Sequence, residues 1–136
     1  MVDRLADRLK QQPDDLAGWV RLAKAYDVLQ RGDQARDAWR HAAALAPDDS
    51  SVQLGYAEAL LAAGGTPPAE FAATVTRVLA REPENRLALY YAGVAAATAG
   101  RADEARRHWQ HLLALMPADA PQRAAVQRQI DGLGMP

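Results

Sequence analysis

Four prolines recur along this chain at a nearly constant interval, and similar residues precede each of them. Pro13, Pro47, Pro83 and Pro117 are separated by 34, 36 and 34 residues. A period near 34 residues is typical of a helix–turn–helix unit whose apolar face is buried only by stacking on neighbouring copies. The repeat therefore predicts an all-α stack of helix pairs, an architecture that serves as a binding surface far more often than as an enzyme.

Composition excludes several classes of function. The 136 residues carry a formal net charge of −1, which provides no positive field for nucleic acid. The absence of cysteine excludes disulfides, thiolate metal sites and thiol catalysis. No apolar run approaches the roughly 20 residues that span a bilayer, and the charged first residues do not form a signal peptide. We expect no cofactor, no nucleic acid partner and no membrane insertion by this fragment.

Turn residues and helix-capping side chains divide the chain into helices. The spacing predicts helices over 2–11, 15–30, from 33 to about 46, from about 50 to the glycines at 64–65, and then over 67–81, 86–99, 104–115 and 120–131. Gly100 is expected to end one of these helices in a left-handed conformation. The expected N-terminal caps are Asp14 or Asp15, Asp33, the run 48–50, Thr66, Asn85, Asp103 and Asp119.

These helices form one predicted domain over residues 1–136. A half-repeat helix (1–12) comes first, three helix pairs follow (13–47, 48–83 and 84–117), and a capping helix ends the chain (118–136). The two extra residues of the 36-residue unit are expected in the turn around 66–68. The capping helix is expected to expose its polar side chains, which are Gln122, Arg123, Gln127, Arg128 and Gln129.

Residues at matching positions of the units resemble the tetratricopeptide repeat (TPR). The resemblance implies a right-handed α-solenoid of three TPR helix pairs, with an extra N-terminal helix and a C-terminal capping helix. The middle pair departs from the pattern, since Gln53 replaces a bulky residue and Phe71 a small one. In the first pair, Gln30 replaces a helix-ending glycine. The matching residues are Trp19, Leu22, Ala23, Tyr26, Ala35, Trp39, Ala42 and Pro47 in the first pair, and Gly93, Gly100, Ala105, Trp109 and Pro117 in the third.

A narrower resemblance comes from the order of several short segments. These segments are Pro13-Asp14-Asp15, Gly18-Trp19 and the runs 22–26, 56–60, 85–89 and 105–109. Together they are similar to the periplasmic repeat domain of cytochrome c maturation factor I. The resemblance implies a periplasmic location and a membrane-anchored N-terminal part that is absent here. It also implies capture of the C-terminal helix of apocytochrome c, delivery to the haem-attachment machinery, and contact with other maturation proteins.

Stacked pairs of this kind curve, so that the first helix of each pair lines a concave groove. The lining is largely apolar with isolated charges, which suits the apolar face of an amphipathic helix. Tyr90 is the strongest candidate anchor, because an aromatic ring with a polar tip is typical of binding hot spots. Packing against neighbouring helices is the alternative role for Val20, Leu54 and Val94. The predicted groove residues are Val20, Lys24, Asp27, Leu54, Glu58, Leu61, Leu87, Tyr90 and Val94.

The polar residues outside the groove form no catalytic or metal-binding pattern. His108 and His111 can share a helix face, but no third ligand lies near them in the sequence. His41 occupies the repeat position of His111, and the three tryptophans are expected in the core. We therefore predict a non-catalytic binding module without a metal. The alternative function is a scaffold for oligomerisation or complex assembly.

Overall fold

The computed structural model describes residues 1–134, and these form helices and turns without any strand. Eight helices succeed one another over this range. They match the predicted order of one helix, three pairs and one further helix, which confirms the all-α class of stacked helix pairs. The end of the predicted capping segment, residues 135–136, lies outside the described residues. The helices are α1 (Val2–Gln11), α2 (Leu16–Val28), α3 (Gly32–Leu45), α4 (Ser50–Ala62), α5 (Ala69–Arg81), α6 (Arg86–Thr98), α7 (Ala102–Leu115) and α8 (Arg123–Asp131).

The chain divides into two compact units, the first over Met1–Gly65 and the second from Thr66 onward. In the first unit α1 packs on α2, α2 on α3 and α3 on α4. In the second unit α5, α6, α7 and α8 pack in the same successive manner. The boundary falls within the turn in which the sequence analysis places the two extra residues.

Three of the predicted caps are confirmed by hydrogen bonds to the first turn of the helix. The Asp15 carboxylate accepts from the Gly18 amide at 3.0 Å, and the Asp49 carboxylate accepts from the Val52 amide at 3.2 Å. Asn85 Oδ1 accepts from the Ala88 amide at 2.9 Å. Each bond satisfies one of the backbone donors that a helix start leaves without an intrahelical partner.

The prediction that Asp33 and Asp103 are N-caps is wrong, because each helix begins one residue before the aspartate. Helices α3 and α7 begin before these residues, with Arg31 and Arg101 at the N-cap positions and no side-chain cap. Both aspartates therefore lie in the first turn, where a carboxylate still interacts favourably with the helix dipole. They also pair with an arginine three residues on, Arg36 at 3.0 Å and Arg106 at 2.7 Å.

The starts of α5 and α8 lie later than predicted. Helix α5 begins at Ala69 with extended Pro68 at its N-cap position, so Thr66 is not the cap. Helix α8 begins at Arg123, so Asp119 is not its cap. A residue that precedes proline is driven away from helical backbone angles, and this applies to Pro67, which precedes Pro68, and to Ala120, which precedes Pro121.

The tryptophans lie in the core, as predicted. Trp19, Trp39 and Trp109 are 6%, 7% and 2% exposed, and each indole N–H has an acceptor. Trp19 donates to the Pro13 carbonyl at 2.9 Å and Trp39 to the Asp27 carboxylate at 3.2 Å. In the second unit Trp109 joins a buried cluster with Leu89, Ala96, Ala105, Leu112, Val126 and Ile130.

Gln53 and Arg123 bind the carbonyl groups that end a preceding helix. Gln53 Nε2 donates to the carbonyls of Ala43 and Ala46 at 2.9 and 3.0 Å, so the unusual glutamine ties α4 to the end of α3. Arg123 Nη1 donates to the carbonyls of Leu113 and Met116 at 2.6 and 3.1 Å. Arg123 is therefore half-buried, and the expectation that it lies on the exposed side of α8 is wrong.

Candidate functional site

A cavity of about 640 Å³ lies in the second unit between the start of α6, the end of α7 and α8. Its walls are mostly apolar, and Leu112 and Val126 also belong to the buried cluster. A concave apolar surface with a few polar groups is the usual form of a binding site. The lining residues are Arg86, Leu87, Tyr90, Leu112, Met116, Pro117, Ala120, Gln122, Ala125, Val126 and Gln129.

Tyr90 is held in this wall by Trp109. The Trp109 indole donates to the backbone carbonyl of Tyr90 at 3.0 Å, and the two ring centroids are 6.3 Å apart. The Tyr90 side chain is half-buried and packs on the core cluster. Tyr90 is thus a fixed part of the cavity wall, since its backbone is bonded to Trp109 and its side chain packs against the buried core.

Leu87 presents apolar surface at the same cavity without a structural role of its own. Its side chain is 45% exposed, and it does not belong to the buried cluster or to the residues packed against it. Leu87 and Tyr90 are the two predicted groove residues that the structure brings together here. An exposed leucine beside a concave apolar wall is a natural contact for a partner's side chain.

Val20 and Lys24 lie together in the first unit. They line a cleft of about 500 Å³ formed by one face of α2 and the start of α4, including Asp49 and Val52. Val20 is half-buried and Lys24 is exposed. The predicted groove residues therefore line a separate concavity within each unit.

The other predicted groove residues line neither of these two concavities. Asp27 is exposed but its carboxylate accepts the Trp39 indole bond, so it joins α2 to α3. Leu54 is only 6% exposed, and Val94 packs on the core cluster of the second unit. On α4, Glu58 is exposed and Leu61 is half-buried. The packing role that was the alternative for Leu54 and Val94 agrees with this burial.

Most of the cavity wall contributed by α7 and α8 was not predicted. Met116, Gln122 and Gln129 line it, although the sequence analysis treats α8 only as a solvating cap. Arg86 also lines the cavity but is not among the predicted groove residues, which on α6 are Leu87, Tyr90 and Val94. The sequence feature that could have indicated a binding role for α8 is the adjacent pair Ala125 and Val126, which gives this helix an apolar side.

Within residues 1–134, the histidines of α7 do not belong to any group of three or more metal-ligating side chains, because no such group occurs there. Burial lowers the pKa of His108 below its ordinary 6.5; the nearby Glu104 raises it, while Arg107 and His111 lower it further. His108 is half-buried beside the small side chains Ala92, Ala95 and Ala99 in a second cavity of this unit.

No helix within residues 1–134 combines the length and the apolar character that crossing a membrane requires.

Residues 4–123 match the family described as "Cytochrome c-type biogenesis protein H TPR domain". The cytochrome c-type biogenesis protein CycH of Bradyrhizobium diazoefficiens is 34% identical over 135 residues, which are 98% of this chain and 37% of that protein. CycH of Pseudomonas aeruginosa is 31% identical over 93% of this chain and 31% of its own length. CcmH of Escherichia coli is 31% identical over 90% of this chain and 35% of its own. The chain thus spans about a third of the length of these relatives.

Two solved structures of MamA share the fold. One superposes with a TM-score of 0.80 at 14% identity, covering 97% of this chain and 69% of that chain. The other gives a TM-score of 0.79 at 14% identity, covering 97% of this chain and 74% of that chain. At this identity the likeness concerns the arrangement of helices alone.

Proposed function

We infer the function of this chain from its family, because it belongs to the cytochrome c-type biogenesis protein H TPR-domain family. Membership confirms the resemblance that the order of short segments indicated. We propose that the chain is a non-catalytic protein-binding module of cytochrome c maturation, located in the bacterial periplasm. Within that process it captures the C-terminal helix of apocytochrome c and contacts other maturation proteins.

The observation that carries this proposal is the apolar cavity between α6, α7 and α8. It has a volume of about 640 Å³ and combines the exposed Leu87 with the fixed ring of Tyr90. An amphipathic helix binds by placing apolar side chains, spaced by one helical turn, into such a concavity. The cleft beside Val20 and Lys24 gives the first unit an apolar surface of its own.

Calorimetric titration of the chain with a synthetic C-terminal helix of a c-type apocytochrome tests the proposal. We expect binding at micromolar strength or tighter. Leu87→Gln should weaken binding about tenfold, because it removes part of the roughly 1.5–3 kcal/mol that burying a leucine contributes. Leu54 is unsuitable for this purpose, since a polar residue at its buried position would destabilise the fold.

Leu45→Gln is the matched control, because Leu45 is 40% exposed on α3 in the first unit and lines neither concavity. It should leave the affinity unchanged. Equal affinities for the two variants would contradict the assignment of the cavity. A concentration-dependent dimer in light scattering, with no affinity for the peptide, would contradict peptide capture and favour the alternative, a scaffold for assembly.

A further inference from the structure

We propose that the α6–α8 cavity selects a partner helix that carries a carboxylate about one turn from its apolar anchor, and that Arg86 and Tyr90 bind this carboxylate. The selectivity rests on the proposed function, since it specifies the chemistry of the helix that the same cavity receives. It follows from the charges, the donors and the spacing of the residues in the cavity wall.

The charge in the cavity has one sign. Arg86 is the only ionised side chain among the described residues of the wall, and no carboxylate accompanies it there. Arg86 makes no ion pair with any residue in the range 1–134, whereas Arg36 and Arg106 each pair with an aspartate. An unneutralised guanidinium beside an apolar surface is complementary to an anionic group on a binding partner.

The position of Arg86 gives no benefit to its own helix. It is the first residue of α6, where the positive end of the helix dipole favours acidic side chains and opposes basic ones. The Asn85 side chain already caps this helix start through the Ala88 amide. Binding of an external anion therefore explains the arginine at this place better than helix stability does.

Tyr90 supplies a second donor one turn away on the same side of α6. Residues four apart on a helix are neighbours, with β-carbons about 5–6 Å apart. No hydrogen bond to the Tyr90 hydroxyl occurs within residues 1–134, while the ring is held by Trp109. The guanidinium and the hydroxyl can thus donate to the two oxygens of one carboxylate, and Met116 and Val126 receive the apolar side chain beside it.

A double-mutant cycle tests the assignment. The probe is the C-terminal helix peptide of a c-type apocytochrome, together with a series in which each Asp or Glu is replaced singly by its amide. Every peptide is titrated against the unaltered chain, Arg86→Gln and Arg107→Gln. Arg107 is the control, since it is exposed on α7 and lines no wall of this cavity.

We expect Arg86→Gln to weaken the unaltered peptide about tenfold and Arg107→Gln to leave it unchanged. One of the amide peptides should bind the unaltered chain about tenfold more weakly than the original peptide does. The same two peptides should bind the Arg86→Gln variant with equal affinity. Added salt should reduce the affinity of the unaltered chain more than that of Arg86→Gln. Tyr90→Phe should weaken the same acidic peptide and leave the amide peptide unaffected.

Two outcomes would overturn the inference, and they are distinguishable. If the peptide binds and every amide substitution has the same effect on the unaltered chain and on Arg86→Gln, the carboxylate site is wrong and helix capture stands. If the peptide does not bind the unaltered chain at all, the proposed function fails, and the carboxylate selectivity fails with it.

Discussion

The indole of Trp109 lies against the backbone of Gly93, in the space that the β-carbon of any other residue at position 93 would occupy. The first unit contains a similar contact, in which a β-carbon at Gly55 would come within 2.5 Å of the Trp39 ring. In both units a glycine on one helix makes room for a tryptophan on the adjoining helix. The large side chains of these cores therefore depend on the absence of a side chain opposite.

Gly93→Ala should destabilise the chain by about 1–3 kcal/mol, because the added methyl group overpacks the buried indole. Urea unfolding followed by circular dichroism measures the change. The control is Gly32→Ala at the first residue of α3, where an added β-carbon meets nothing within 4 Å. That variant should be unchanged or slightly more stable, since alanine restricts the unfolded chain. Equal stabilities for the two variants would refute the packing role of Gly93.

Gln30→Gly should stabilise the chain by about 0.5–1 kcal/mol. Gln30 has a φ of 58°, a left-handed conformation that costs a residue with a side chain about 1–2 kcal/mol. Gly100 ends α6 at the equivalent place with a φ of 78°. In both places the following arginine amide closes the turn, with Arg31 donating to the Tyr26 carbonyl and Arg101 to the Ala96 carbonyl.

The reverse substitution at the equivalent place, Gly100→Gln, should destabilise the chain by a similar amount. The measurement is the denaturant concentration at the unfolding midpoint, with the dependence of the unfolding free energy on denaturant unchanged. A gain in stability from Gly100→Gln would contradict the strain assigned to position 30.

The sequence predicted the repeat architecture because its determinants are local. Asp15, Asp49 and Asn85 accept hydrogen bonds within their own first turns, so their spacing alone locates a helix start. The errors at Thr66 and Asp119 arose where a competing local rule applies, since each is followed by a proline-restricted residue. The role of Gln53 could not be predicted, because its acceptors lie at the end of another helix.

Gln53→Leu should destabilise the chain by about 1–3 kcal/mol, although leucine restores the bulky residue expected at this position. The buried amide donates to the Ala43 and Ala46 carbonyls, and leucine would leave acceptors at the end of α3 without this donor. Gln127→Leu is the control, because the exposed Gln127 side chain bonds the exposed Asp131 carboxylate; this substitution should change stability by less than about 0.5 kcal/mol. Thermal unfolding of both variants decides the matter, and a more stable Gln53→Leu would refute the carbonyl-binding role.

His108 should make the chain less stable as the pH falls. Burial lowers the pKa of His108 below the 6.5 of an ordinary histidine, with Glu104 opposing and Arg107 and His111 adding to the shift. The unfolded chain therefore binds this proton more readily than the folded chain. The contribution to stability is complete above pH 6.5 and is lost as the pH falls through 6.5 towards the lower pKa of the folded state.

Unfolding free energies between pH 7.5 and 5 should fall less steeply for His108→Gln than for the unaltered chain. Gln110→Ala, an exposed and uncharged position on the same helix, is the control and should leave the slope unchanged. Parallel profiles for the unaltered chain and His108→Gln would show that His108 titrates alike in both states.

Most of the candidate site was beyond the reach of sequence analysis. Leu87 and Tyr90 follow from the position of α6 within a repeat, but Met116 and Gln129 reach the same cavity only through the packing of α8 on α7. Arg123 joins the start of α8 to the end of α7 by donating to the carbonyls of Leu113 and Met116. No periodic pattern encodes a contact of this kind, because α8 is not followed by a further copy of the unit within the described residues.

Arg123 thus opens α8 and at the same time closes α7. A protein shortened to the residue before it would lose Val126 and Ile130 from the buried cluster, together with one side of the cavity. Truncation at this point would remove core packing and candidate binding surface in a single step. Loss of ligand binding by such a fragment would therefore have to be separated from loss of folding.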